Sequence, residues 1–141
     1  MKRIIIAVLC ALGLVSALDA QEKKGVLTLS SKEFKTKVYD ISAKNPEYLG
    51  SKPAIVDFYA SWCGPCRAIS PVLEELAKEY GDKIVIYKVD VDASRDIAQA
   101  FGIRSIPAVL FIPMKGEAQM TVGGRSKEDF KKQIDTILLG K

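Results

Sequence analysis

Histidine is missing from all 141 residues. That absence removes whole classes of chemistry: Ser-His-Asp and Cys-His catalysis, histidine-ligated zinc, the HExxH protease site and any imidazole switch near neutral pH. Proton transfer has to come from carboxylates, amines, phenols, thiols or water. Tryptophan occurs once and cysteine three times. Charge of one sign is also scarce: the net charge is +4, with acids and bases well mixed along the chain. That is too mild and scattered for a nucleic-acid-binding surface. No internal repeat or low-complexity tract is present. What remains is 48% hydrophobic and 27% charged residues, the balance of a globular chain, at a length that suits one domain.

The first twenty residues stand apart. Lys2 and Arg3 precede an apolar run from Ile4 to Leu18, broken only by Gly13 and Ser16. Small residues at Ser16, Ala17 and Ala20 lead into polar Gln21-Glu22-Lys23-Lys24. This order is that of a secretory signal peptide, and the run is shorter than the ~20 apolar residues of a spanning helix. Cleavage is expected after Ala20, with Ala17 as the other site and an uncleaved membrane anchor as the competing reading. The domain is then residues 21–141. Removing residues 1–20 takes Lys2, Arg3 and Asp19, so the net charge falls from +4 to +3, and Cys10 leaves as well. Two cysteines remain, Cys63 and Cys66. Export places them in an oxidising compartment, periplasmic or otherwise extracytoplasmic.

The rest of the chain alternates between two periodicities. Val26–Leu29 reads as a short strand. Ser30 with Glu33 forms a Ser-x-x-Glu capping box, so a helix is expected from there to about Tyr39 or Ser42. Ala43–Lys52 carries Asn-Pro and Gly-Ser turn signals and reads as a loop. Ala54–Tyr59 is a buried central strand with one acid in it. From Cys63 to Tyr80, Ile69, Val72, Leu73, Leu76, Ala77 and Tyr80 recur at helical spacing, and Pro71 is expected to kink that helix. Ile84–Val91 is a second buried strand. Arg95–Phe101 is a short helix closed by Gly102. Ala108–Ile112 and Ala118–Val122 are strands, and Ser126 with Asp129 caps a last helix. The expected architecture is α/β: one mixed central β-sheet flanked by α-helices on both faces.

The chemistry concentrates at Trp62-Cys63-Gly64-Pro65-Cys66. A disulfide between positions three apart closes a ring too small to restrict the unfolded chain much, so the pair is more chemical than structural. Cys63 falls at a helix N-terminus, where free N–H groups and the helix dipole favour an anion. Its thiol is therefore expected to ionise below the range of a free cysteine, and the thiolate is the attacking species in thiol–disulfide exchange. Cys66, one turn in and less exposed, is placed to attack the resulting mixed disulfide. The competing readings are a static disulfide and half of a metal site shared between two chains. A zinc site within one chain needs four ligands, and two cysteines without histidine do not supply them unless carboxylates fill in.

WCGPC, preceded by Val56-Asp57-Phe58-Tyr59-Ala60-Ser61, resembles the active-site stretch of the thioredoxin family. Ile106-Pro107 resembles that family's cis-proline loop, and Gly123-Gly124 its glycine site. The likeness covers about Val26 to Leu138. It implies the thioredoxin fold and a protein-disulfide oxidoreductase with no cofactor and no metal. It implies that Cys63 is the nucleophile, Cys66 the resolving thiol, and Cys63–Cys66 the disulfide formed. Asp57 would lie buried beneath the cysteines and carry the proton for Cys66, with Lys88 on the neighbouring strand facing it. The bland alternatives are a structural strand acid paired with a lysine, and a surface lysine that merely lies along the sheet. Pro107 would be cis, opposite the disulfide. Trp62, Gly64, Pro65 and Pro107 would tune the active-site loop. Trp62, Ser105, Ile106, Pro107, Gly123 and Gly124 would bind substrate, the backbone of Ile106 pairing with an extended segment. Ser105 stands where many members have glycine, Tyr59 where many have tryptophan, and Ala43–Lys52 is longer than in compact members.

The expected partners are disulfide-containing proteins and a membrane electron-transfer partner, with no nucleic acid, and the chain is expected to be a monomer. Gly64-Pro65 resembles the reducing end of the superfamily. The expected activity is therefore reduction of protein disulfides in an exported compartment. The alternatives are net disulfide donation and a redox-inactive binding module.

Overall fold

The computed structural model describes residues 25–141; the expected signal segment, residues 1–20, lies outside them. Strands β1 (Leu27–Thr28), β2 (Ala54–Tyr59), β3 (Val85–Asp90), β4 (Ala108–Ile112) and β5 (Gln119–Val122) form one sheet in the order β1-β3-β2-β4-β5. β1, β3 and β2 run parallel, while β4 is antiparallel to β2 and β5 to β4. Helices α1 (Ser31–Lys37), α2 (Gly64–Tyr80), α3 (Arg95–Ala100) and α4 (Lys127–Gln133) cover the two faces, and a π-helical turn, Ile134–Leu138, continues α4. This is the thioredoxin fold.

The near-continuous apolar runs of β2 and β4 follow from helices on both sides. Successive side chains of a strand point to opposite faces. Val56 and Phe58 of β2 join Phe34, Val38, Tyr87, Val89 and Ile97 in the core under α1 and α3. Ile55 joins Ile69, Leu73, Leu76, Ile86, Phe111 and Phe130 in the core under α2 and α4. Period two then puts Asp57 and Tyr59 on the α2 face with Ile55, and Lys88 on it with Ile86. Cα register pairs Asp57 with Lys88 on one side and with Val109 on the other.

α1 begins as its capping box requires: the Ser30 hydroxyl accepts from Glu33 N–H, and Glu33 Oε2 accepts from Ser30 N–H at 2.9 Å. It stops at Lys37, short of the expected Tyr39 or Ser42. The N–H groups of Val38 and Tyr39 both turn to Phe34 O, and the chain beyond is claimed by the 43–52 segment. There Tyr39 pairs antiparallel with Tyr48, Leu49 N–H donates to Val38 O at 2.9 Å, and the Tyr48 hydroxyl donates to Lys52 O at 2.7 Å. Tyr39 and Tyr48 pack on the α1/α3 core, so the extra length lids that core beside the start of β2. α2 continues as one helix through Pro71. The carbonyl that loses its partner is that of Arg67, an exposed residue that water can satisfy.

Candidate active site

Where β2 ends, Cys63 N–H donates to Ala60 O at 3.2 Å, and the chain turns into α2 with Cys63 as its N-cap. Cys63 Sγ accepts from Cys66 N–H at 3.2 Å. The sulfur thus stands where a serine or aspartate oxygen stands in ordinary helix caps, receiving an N–H that has no intrahelical acceptor. Pro65 falls in the first turn, where its missing N–H costs nothing. A disulfide joins Cys63 to Cys66, with the Cα atoms 5.3 Å apart.

Both cysteines are covered in this oxidised state, Cys63 5% and Cys66 3% exposed. Cys66 is the less exposed of the two, as expected, but Cys63 is itself buried in this state. Cys63 is enclosed because Ala60, Tyr59, Val91 and Ile106 pack around the bridge. Beside it Trp62 is 67% exposed, and its indole N–H donates to Asp92 Oδ2 at 2.8 Å. Trp62 therefore stands over the rim as an apolar plate and takes no part in the core. Asp92 carried no sequence signal beyond being an acid in the turn after β3. That turn is itself set by Asp90, whose Oδ1 accepts the N–H groups of Asp92 and Ala93.

The Ile106–Pro107 bond is cis. Pro107 is buried and Ser105 exposed, and half-buried Ile106 packs against the cysteines. Pro107 O accepts Gly123 N–H at 2.8 Å, which ties the end of β5 to this loop. The backbone N–H and C=O of Ile106 have no partner among the described residues, so an extended segment can add there as a strand. Gly123 has φ 93°, a conformation that favours glycine. A Cβ on Gly124 would meet only Ile69 Cγ2, at 3.9 Å. Packing therefore does not demand glycine at 124, which lines an open groove with Pro65 beside the active-site turn.

Asp57 is 3% exposed, and its Oδ1 has no hydrogen-bond partner among the described residues. Burial pushes its carboxyl pKa up to about 7, partly offset by the charge of Lys88. An acid with that pKa exchanges a proton near neutrality, the work that no histidine here can do. The Lys88 ammonium lies 5.1 Å from the centre of the Tyr59 ring, as a cation–π contact. Tyr59 thus seats Lys88, a role the sequence did not reveal because it depends on two strands being adjacent. Replacing Lys88 by methionine is expected to raise the Asp57 pKa further above about 7, since the charge that opposes its burial shift disappears. NMR titration of the Asp57 carboxyl checks this; an unchanged or lower midpoint would remove Lys88 from its field.

The family model described as Thioredoxin matches residues 25–136. A thioredoxin of Borreliella burgdorferi is 42% identical over 109 residues, 77% of this chain and 93% of the relative. Thioredoxin M-type, chloroplastic, of Pisum sativum is 43% identical over 91 residues, 64% of this chain. The chain spans about half, 53%, of that pea protein's length. A crystal structure of chloroplastic thioredoxin z superposes with a TM-score of 0.68 at 25% identity, over 80% of this chain and 94% of that one.

Proposed function

This chain belongs to the thioredoxin family, whose members are disulfide oxidoreductases acting on disulfide-containing proteins, and on that premise we propose that it is an exported reductase of protein disulfides. The observation that carries the reading is the Cys63–Cys66 pair capping α2, on the face of the sheet where a buried carboxyl titrates near neutrality.

Cys63, as thiolate, attacks one sulfur of the target disulfide. A mixed disulfide forms, and the displaced target sulfur leaves as a thiolate that takes up a proton. Cys66 passes its proton through water to the Asp57 carboxylate and attacks Cys63 Sγ. The mixed disulfide breaks, the second target sulfur leaves, and it is protonated from Asp57 or water. Two electrons have moved from the Cys63/Cys66 dithiol to the target, and the intramolecular disulfide is left. That disulfide is the state seen here. Ile106 holds the target segment through its free backbone groups, and Trp62 and Gly124 leave an apolar, unobstructed approach.

The signal-like residues 1–20 support export, and Gly64-Pro65 between the thiols supports the reducing direction. A reductant in an oxidising space needs electrons from outside it. A membrane electron carrier supplies them in this reading, and the protein works as a monomer.

The equilibrium potential of the pair tests the direction. About −270 mV, the general figure for thioredoxins themselves, is expected. A strong periplasmic oxidant lies near −120 mV, and the gap is worth roughly 7 kcal/mol for two electrons. A potential above about −150 mV would transfer the assignment to disulfide donation. N-terminal sequencing of the protein recovered from its cells is expected to begin at Gln21; an intact Met1 would remove the cleaved signal.

A further inference from the structure

Arginine is rare in this chain, and its placement is uneven. The described residues contain four: Arg67, Arg95, Arg104 and Arg125. Arg95 opens α3. The other three sit close in sequence to the segments that meet at the disulfide, Arg67 in the first turn of α2 and Arg104 and Arg125 on loops. Arg67 follows Cys66, Arg104 stands two residues before Ile106, and Arg125 follows Gly124. The packing of Ile106 on the cysteines and the Gly123–Pro107 hydrogen bond bring these segments together. Arg125 lines an open groove with Pro65, Ala68, Ile69 and Gly124, immediately beside the active-site turn.

All three arginines are exposed. Arg104 and Arg125 make no hydrogen bond or ion pair among the described residues, and Arg67 gives one N–H to Ser61 O at 3.3 Å. Several lysines behave differently: Lys35 pairs with Asp96 at 2.6 Å, and Lys127 with Glu75 at 2.9 Å and with Glu79. The acids of the neighbouring turns keep their charge but pair with neither Arg104 nor Arg125, each giving a carboxylate oxygen to a neutral donor. Asp92 accepts from Trp62, Asp90 from the backbone of its turn, and Asp129, also in the groove, from the Ser126 hydroxyl. Arg104 and Arg125 thus present two guanidinium forks that are unpaired among the described residues. Each matches a carboxylate in two parallel hydrogen bonds, a geometry that lysine does not offer.

We propose that this arginine rim selects target proteins whose disulfide is flanked by aspartate or glutamate. The proposal rests on the reductase reading above and names its substrate class. The target runs extended along Ile106, its reactive sulfur over Cys63, with acidic side chains on either side meeting Arg104 and Arg125. Charges so placed act chiefly on the encounter, so the preference is largest at low ionic strength and shrinks as salt screens it.

The test compares three disulfide probes with the reduced wild-type protein: a peptide disulfide flanked by glutamates, the same peptide flanked by lysines, and neutral 2-hydroxyethyl disulfide. A preference of about 10- to 100-fold in kcat/KM for the glutamate peptide is expected at low salt, falling several-fold in 0.5 M salt. Arg104→Gln with Arg125→Gln should erase most of it, and Arg104→Glu with Arg125→Glu should reverse it. Lys83→Glu makes the same kind of charge change at the opposite end of the sheet and should keep it. Equal rates on the two peptides, or a preference surviving both arginine double variants, overturn the rim. So does a loss as large in Lys83→Glu, which would trace the preference to net charge. Failure to reduce any of the three probes, the neutral one included, instead overturns the reductase reading on which the rim depends.

Discussion

Cys63→Ser is expected to lose disulfide reduction by at least about 10⁴-fold, the scale on which removal of a covalent nucleophile acts. A hydroxyl at the α2 N-cap still accepts the Cys66 N–H, so the helix start survives. It is nevertheless not a nucleophile at neutral pH, and it cannot form the intermediate. Cys66 does not substitute for it, because it lies inside the first turn of α2 and not at the N-cap position. Cys66→Ser is the complementary variant. It keeps the first attack but has no second thiol, so the mixed disulfide accumulates instead of turning over. Thiol release from a disulfide-bonded protein measures the first loss, and non-reducing electrophoresis displays the trapped adduct of the second. More than a few per cent residual turnover in Cys63→Ser would overturn the order of attack, as would adducts formed by Cys63→Ser and not by Cys66→Ser. A wild-type protein that reduces nothing and traps nothing would be a binding module on this fold.

The parts of this molecule that were legible in the sequence are those decided locally. The capping box at Ser30 and the apolar run of Ala54–Tyr59 each specify their element without reference to distant residues, and the structure holds both. WCGPC with its downstream Ile106-Pro107 was legible because a specific string requires few residues to be read together. The contacts that escaped join elements far apart in the chain. Trp62 bonds Asp92 across 30 positions, and no local pattern marks an acid as the partner of an indole. Lys88 rests on Tyr59 because β2 and β3 are neighbours in register. The early end of α1 has the same origin: local propensity would carry the helix on, but Tyr48 and Leu49 return to pair with Tyr39 and Val38. The burial of Cys63 has a related origin. A helix N-terminus is open in isolation, and it is closed here by Ile106 from a loop some forty residues away.

Asp57→Asn should make the protein more stable and less able, in opposite halves of the same experiment. The folded carboxyl has its pKa raised from an ordinary value of 3.8 to about 7 because burial penalises the charged form. Between those values the folded chain keeps a proton that the unfolded chain has released. Stability must then fall as pH rises through that window, reaching its full penalty above about pH 7 and vanishing below about pH 4. The shift of about three units corresponds to roughly 4 kcal/mol. Asparagine carries no charge to penalise, so its stability should lack this slope. Urea unfolding of the oxidised protein at pH 4, 6 and 8 is expected to show the variant gaining roughly 4 kcal/mol on wild type between the ends, with a smaller net advantage at pH 8 because the buried amide brings unmet donors. Parallel curves would mean that Asp57 does not titrate as its burial implies. On the chemical side the amide cannot accept the Cys66 proton. Release of the mixed disulfide near pH 7 should slow by about 10²-fold, the low end of general-base contributions, while the first attack by Cys63 keeps its rate. Rapid-mixing kinetics separates the two steps, and equal slowing of both would place Asp57 outside the proton path. A buried acid that weakens the fold at the pH where it works is the expected signature of a group retained for proton transfer. A surface acid paired for structure would instead lose stability on this substitution and leave both kinetic steps at their wild-type rates.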